Sequence, residues 1–426
     1  MKNLKILIVS RTPWNNSNSF GNTFNNLFGG MQGVEIYNIC CQNGDAKNEI
    51  VRKTLQMSEL SVLHSLIGGN VCIHSSNLKY NAKEQQMNNS AKKHKSTMLF
   101  FLRDLIWQIG ALKWKNAVKD FIESVKPDVI YLPIYASLYM CKIEHHVINC
   151  AKTPVVGHLS DDNWNYSPAY SKISLAYFYQ WCLRKTEYKL IKKTEYLEVF
   201  AQNMKEEYEK TFNKSCYLIG KGVNVDSVTL PHEGLRKDDI VHFVYTGGIG
   251  GERYAVLIAL GKALERQASQ KCLLDIYTPT PLTNDMKVQI RSIKSIRFHG
   301  AVNGCDVSAI QKEGDFLVHV EGFSAKSIAS TKMSFSTKII DYLSTGNVLF
   351  AIGPTEINSI QVLKRYNIGV VVDNINKLDF ILTDILTKSV DTREIQQNAY
   401  NYLVTTRKKE TIQNAIKRRI LNILNN

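Results

Sequence analysis

Ile240-Val241-His242-Phe243-Val244-Tyr245-Thr246, followed by Gly247-Gly248-Ile249-Gly250-Gly251-Glu252-Arg253, reads as a buried strand running through a glycine-rich loop into a helix. That order is the opening unit of a parallel α/β sheet. Missing side chains let a ligand's phosphates reach backbone N–H groups near the helix start, and Arg253 adds a fixed positive charge. A ligand-free tight turn is the competing reading. The glycine spacing fits neither GxGxxG nor the P-loop pattern, which argues against a dinucleotide oxidoreductase or a P-loop enzyme.

The alternation extends in both directions. Downstream, a helix over 254–270 precedes strands at Cys272–Tyr277, 296–299, Phe316–Val320 and Val348–Ile352. Upstream, strands are expected at 4–9, Val34–Cys40, 128–132, 153–158 and 197–201, with helices between. The polar segment 230–239 is the best linker. The expected fold class is therefore α/β, with two Rossmann-like domains facing a cleft. Residues 1–228 form the acceptor-binding domain and 229–398 the nucleotide-sugar-binding domain in this reading, and the helical tail 399–426 is free to pack back on the first.

With 426 residues, 44% hydrophobic and 21% charged, the chain has material for two cores and no signature of disorder. Lys and Arg outnumber Asp and Glu by 53 to 38, a formal +15 that suits an anionic membrane face. No zinc spacing, RNP-like motif or helix-turn-helix signature accompanies the charge, so nucleic acid is not an expected partner. The first apolar run is too short for a secretory signal, and no stretch approaches the ~18 apolar residues of a spanning helix, so a cytoplasmic location is expected. The nine cysteines lack CxxC spacing and carry no assigned chemistry. Ala91-Lys92-Lys93-His94-Lys95, with Met98-Leu99-Phe100-Phe101-Leu102 behind it, joins a basic run to an aromatic-rich stretch. It points either to an interfacial helix on anionic lipid or to core packing beside solvated lysines.

Four more stretches hold candidate chemistry. Gly21 and Asn22 lie in a polar segment after the first strand, either a plain connection or a place where phosphate or sugar approaches backbone amides. Val155-Val156-Gly157-His158-Leu159-Ser160-Asp161-Asp162 ends a strand, where α/β sites collect. Asp161 or Asp162 is placed to orient or deprotonate an acceptor hydroxyl, and His158 to bind a donor hydroxyl or share the proton; a turn cap is the alternative for either aspartate. Glu321 follows another strand, as a sugar contact or a solvated loop residue. In Ser336-Thr337-Lys338-Ile339-Ile340-Asp341 a hydroxyl caps a helix whose lysine suits a diphosphate, with a carboxylate one turn on that suits ribose hydroxyls; a surface Lys/Asp pair is the alternative.

These motifs together resemble the GT-B glycosyltransferases, especially the retaining group often called family 4. That family has a Gly-Arg-x-x-x-x-Lys-like donor loop followed by a Glu, seven residues, Glu motif. Gly247 and Gly248 with Arg253 take the place of the loop, and Asp341 that of the second Glu; Met333 stands at the first Glu and Gly248 where an Arg is common. Ser336, Lys338, Asp341, Tyr342, Leu343 and Gly346 match a variant frequent among polysaccharide-biosynthesis members. Phe298-His299-Gly300 is similar to the Phe-x-Gly turn lining the nucleobase pocket, and Lys221-Gly222-Val223-Asn224 to a turn ending the first domain.

The resemblance implies transfer of a sugar from a nucleotide-diphosphate-sugar to a glycan or polyprenyl-linked acceptor, with retention, at the inner face of the cell membrane. It implies no cofactor and, with no metal cluster visible, no metal. Donor contacts would come from Gly247, Gly248, Arg253, His299, Ser336, Thr337, Lys338 and Asp341, and catalysis from His158, Asp161, Asp162 and Glu321. Nucleotide-sugar 2-epimerases share the double Rossmann layout and are the alternative enzyme; a non-catalytic glycan- or membrane-binding partner is the other alternative.

Overall fold

The computed structural model describes residues 3–16, 18–46, 48–73, 97–165, 174–231, 239–267, 271–387 and 389–425. The basic run 91–96 and residues 232–238 of the expected linker lie outside the described residues. The chain divides into two compact units: Met1–Phe200 with Met204–Ile219 and Gln413–Asn426, and Ala201–Asn203 with Gly220–Ile412. The second unit thus begins at Gly220 rather than after 228, because Val223 and Val228 belong to its apolar core.

The first unit is built on β1 (Leu4–Ser10), β2 (Val34–Cys40), β3 (Val51–Gln56), β4 (Val129–Pro133), β5 (Val155–Leu159), β6 (Tyr196–Val199) and β7 (Cys216–Leu218), ordered β3-β2-β1-β4-β5-β6-β7. All neighbours run parallel. β4, β5 and β6 are buried along their whole length, as strands covered by helices on both faces must be. The second unit carries β8 (Val241–Thr246), β9 (Cys272–Tyr277), β10 (Ile296–Gly300), β11 (Phe316–Val320), β12 (Val348–Ile352) and β13 (Val370–Val372), also parallel, ordered β10-β9-β8-β11-β12-β13. In each sheet the strand order reverses at one place, between β1 and β4 and between β8 and β11, and ligands of doubly wound sheets collect outside the strand C-termini at that point.

The tail is two helices rather than one, Thr392–Thr406 and Lys409–Asn425. The break is held open by Val223, whose N–H donates to the Arg407 carbonyl at 2.7 Å and whose carbonyl accepts from the Lys409 N–H at 2.9 Å. The end of the second helix packs in the first unit, where Gln413 Nε2 donates to the carbonyls of Asn26 and Gly29 at 3.1 and 3.0 Å.

Two helices of the first unit, Leu138–Ala151 and Leu175–Lys192, bury Glu144 and Glu187 completely, and none of their four carboxylate oxygens has a hydrogen-bond partner among the described residues. Burial, then the Asp162 charge, pushes Glu187 up to about 8 against the pull of Arg184; burial and the Glu187 charge push Glu144 well up too. A carboxyl raised in the folded state keeps a proton that the unfolded chain has released, so stability falls as pH rises from about 4.5 to about 8. Glu187→Gln should therefore raise Tm by about 5–10 °C at pH 8 and far less at pH 5, read by calorimetry at both pH values; an equal gain at both would refute a buried neutral carboxyl.

Candidate functional site

At the reversal point of the second sheet, Tyr342 fixes the end of β8. Its buried hydroxyl donates to the Thr246 carbonyl at 3.0 Å and accepts from the Thr246 N–H at 3.2 Å, while Gln311 Nε2 donates to Thr246 Oγ1 at 2.9 Å. Tyr342 belongs to the helix Lys338–Leu343, so the same bonds set Lys338 beside the glycine loop. A methyl group on Gly247, whose φ is +152°, would overlap the Lys338 ammonium nitrogen. Gly250 faces open space and has no positive φ, so the fold itself does not require glycine there.

Arg253 opens the helix Arg253–Arg266 and reaches the end of β11, where its Nη2 lies 3.1 and 3.3 Å from the two Glu321 oxygens. His319 Nε2 lies 3.3 Å from Glu321 Oε1. Glu321 is buried, and burial disfavours its charge, but the nearby His319 imidazole and the hydrogen-bonded Arg253 guanidinium outweigh this and hold its carboxyl below the ordinary value. The solvated-loop reading of Glu321 is thus set aside. Lys338 is lowered, first by burial of its ammonium and then by the Arg253 charge, with Glu321 and Asp341 opposing. The residue as a whole is exposed; it is the ammonium end, tucked against Gly247, that loses water.

Asp341 lies one turn after Lys338 and pairs with Lys221. Lys221 was not singled out from sequence as a site residue, although its Gly220-Lys221-Gly222 setting marks a tight turn. Thr337 stands at the cap position but has helical φ and ψ and makes no side-chain cap bond, and the Ser336 N–H donates to Ser359 Oγ at 3.0 Å. The expected hydroxyl cap is therefore absent. His299 stacks on Tyr277 at 4.3 Å and puts Nε2 2.7 Å from Asp275 Oδ1, joining His242 and Arg297 around that buried carboxylate. Strand alternation sends Phe298 to the other face, into a groove of about 670 Å³ shared with Thr278, Thr280, Ile290 and Ala301.

In the first unit His158 is buried and its pKa is lowered to about 3 by that burial, so the imidazole stays neutral and does not share a proton. Tyr131 donates to Glu198 Oε2 at 2.7 Å and lies 3.0 Å from His158 Nδ1; the one hydroxyl proton goes to Glu198, so Nδ1 carries the ring proton. His158 Nε2 then accepts from Ser160 Oγ at 2.9 Å. Glu198 is anchored by Arg419 of the last helix, with Nε at 3.0 Å from Oε1. Asp162 is a turn cap, accepting from Tyr208 Oη at 2.8 Å and the Asn165 N–H at 3.0 Å, while Asp161 is exposed. The helix Ser19–Phe28 begins earlier than expected and takes up the Gly21 and Asn22 amides, which bond to Asn18 at 2.7 and 2.9 Å, so neither amide is open to a ligand.

No family model and no curated protein matches the sequence. Solved structures do. The chain is similar to HepE of Anabaena, solved with UDP, at 12% identity over 98% of this chain and 100% of that one, with a TM-score of 0.66. It is similar to a glycosyltransferase of Rickettsia africae at 13% identity over 100% of both, TM-score 0.61. Sucrose-phosphate synthase of Thermosynechococcus elongatus aligns at 11% identity over 99% of both, TM-score 0.64. The chain has the GT-B fold. Glycosyltransferases of this fold are its structural neighbours.

The Arg419–Glu198 pair offers a test in the first unit. Arg419→Met leaves a buried carboxylate without its counter-charge and should cost about 3–5 kcal/mol in urea unfolding. Adding Glu198→Gln should recover most of the loss; an additive double variant would show that the two do not act as a pair.

Proposed function

We propose that the chain is a glycosyltransferase that takes a sugar from a nucleotide-diphosphate-sugar. One observation carries this reading: Arg253 and Lys338 converge beside a glycine loop at the reversal point of a parallel sheet, with an ionised Glu321 behind them. In this reading the two cations bind the diphosphate and stabilise its charge as it leaves, so that no added metal is required. Asp341, now paired with Lys221, takes the ribose hydroxyls. Glu321 faces the transferred sugar and offsets the positive charge that develops at the anomeric carbon. The first unit recognises the acceptor, with Asp161 as the exposed carboxylate beside it. HepE has also been solved with UDP-glucose, which supports a hexosyl donor, and a lipopolysaccharide galactosyltransferase, WaaB, among the similar structures supports a glycan or lipid-linked acceptor in surface polysaccharide assembly at the cytoplasmic membrane face. Retention of configuration belongs to the same reading.

UDP, GDP, CDP, dTDP and NAD should be compared by thermal shift. One diphosphate at 100 times its Kd should add about 2.7 kcal/mol of stability, and Lys338→Ala and Asp341→Ala should each weaken its binding about tenfold or more. If no diphosphate shifts the melting curve, the donor site is wrong. Glu321→Gln should retain nucleotide binding and lower transfer about 100-fold or more in an acceptor-dependent assay. Product formed as a 2-epimer without acceptor would instead identify an epimerase.

A further inference from the structure

The helix Thr97–Ile109 is turned inside out. Its polar Asp104 is buried, accepting from the Tyr139 N–H at 3.0 Å, and Arg103 lies over the Tyr139 ring at 4.6 Å. Its solvent face is Met98, Leu102, Leu105 and Ile109, at 74, 53, 52 and 57% exposure and at i, i+4, i+7, i+11 spacing, and Leu112 continues the stripe at 80%. The helix Leu175–Lys192 meets it through Tyr179, whose ring lies 5.0 Å from Phe101. That second helix exposes Leu175, Phe178 and Trp181 on its first two turns. Lys185, Lys189 and Lys192 continue the same outward face. Phe178 and Trp181 stack at 6.1 Å, and the Lys185 ammonium sits 5.1 Å over the Trp181 ring.

We infer that these two helices form a docking face for an anionic lipid bilayer. An apolar stripe beside an aromatic tip has no reason to face water unless something covers it. The lysines that follow Trp181 begin one helical turn on, about 6 Å along the axis, which matches the step from the acyl boundary to the headgroups. The surrounding charge is complementary to anionic lipid, with Lys193 beside Lys192 and a formal +15 on the chain. No helix of the described residues is long and apolar enough to cross a membrane, so the face would lie on the surface. The inference rests on the membrane-surface part of the proposed function and is independent of the donor site.

The test is co-sedimentation of the full chain with phosphatidylcholine vesicles containing or lacking about 30 mol% phosphatidylglycerol. Binding is expected only with the anionic lipid and should weaken with salt. Phe178→Glu with Trp181→Glu, and separately Leu102→Glu with Leu105→Glu, should each reduce partitioning about tenfold or more, with circular dichroism melting as the control for folding. Trp14, Trp107 and Trp114 are buried and Trp164 is half-buried against Phe212, which leaves Trp181 as the exposed tryptophan, so most of any blue shift of emission on binding should be lost in Trp181→Phe while binding persists. Equal binding by the Glu variants, no binding by the wild type, or a dimer that these substitutions dissociate without any lipid binding would each overturn the inference. Vesicle binding without stabilisation by any diphosphate would sink the donor reading and leave this one standing.

Discussion

The ionised Glu321 at the end of β11 is the constraint on which the second unit's site depends. A carboxylate withdrawn from water must be balanced, and the balance fixes three other groups. Arg253 has to start its helix where it can reach across the reversal point, and His319 has to lie two residues back along the same strand. Lys338 is then placed near a guanidinium that repels it, held there by the Tyr342 bonds to Thr246. The cluster so formed carries two cations for one carboxylate. An anion entering beside the glycine loop would relieve Lys338 of both its lost hydration and its repulsion.

The first unit treats buried charge in two ways. Glu198 is balanced, and its partners run from Arg419 through Tyr131 to His158, so that the orientation of a residue at a strand end depends on the last helix of the chain. Glu144 and Glu187 are not balanced and are held by burial in a form that carries less charge. The contrast is one of contact: the Arg419 guanidinium bonds Glu198 and offsets part of the burial that raises its pKa, whereas Arg184 acts on Glu187 only through its charge.

The strand pattern was legible because buried parallel strands are near-continuous apolar runs: β2, β9, β11 and β12 fall within the limits read from sequence. The edge strand β3 escaped notice because Arg52 and Lys53 interrupt it in solvent, and β7 and β13 span three residues each. Arg253 and Lys338 were legible as cations next to glycine and hydroxyl residues. Their link through Glu321 was not, because it joins residues 68 positions apart and depends on which strands neighbour β8. The proton-sharing role offered for His158 fails for the reverse reason, since its sequence setting at a strand end says nothing of the burial that keeps it neutral. Burial likewise separated Asp161 from Asp162, which local sequence treats alike.

The central claim, that a diphosphate completes the Arg253–Lys338–Glu321 cluster, is tested most directly by how much of the UDP affinity each cation supplies. Titration calorimetry with UDP on the wild type, Lys338→Met and Arg253→Met, at low and at high salt, measures it. Two cations that bind the diphosphate require each variant to weaken UDP about tenfold or more and to flatten the salt dependence seen in the wild type. UDP binding equally tight in both variants, with an unchanged salt dependence, would contradict the account.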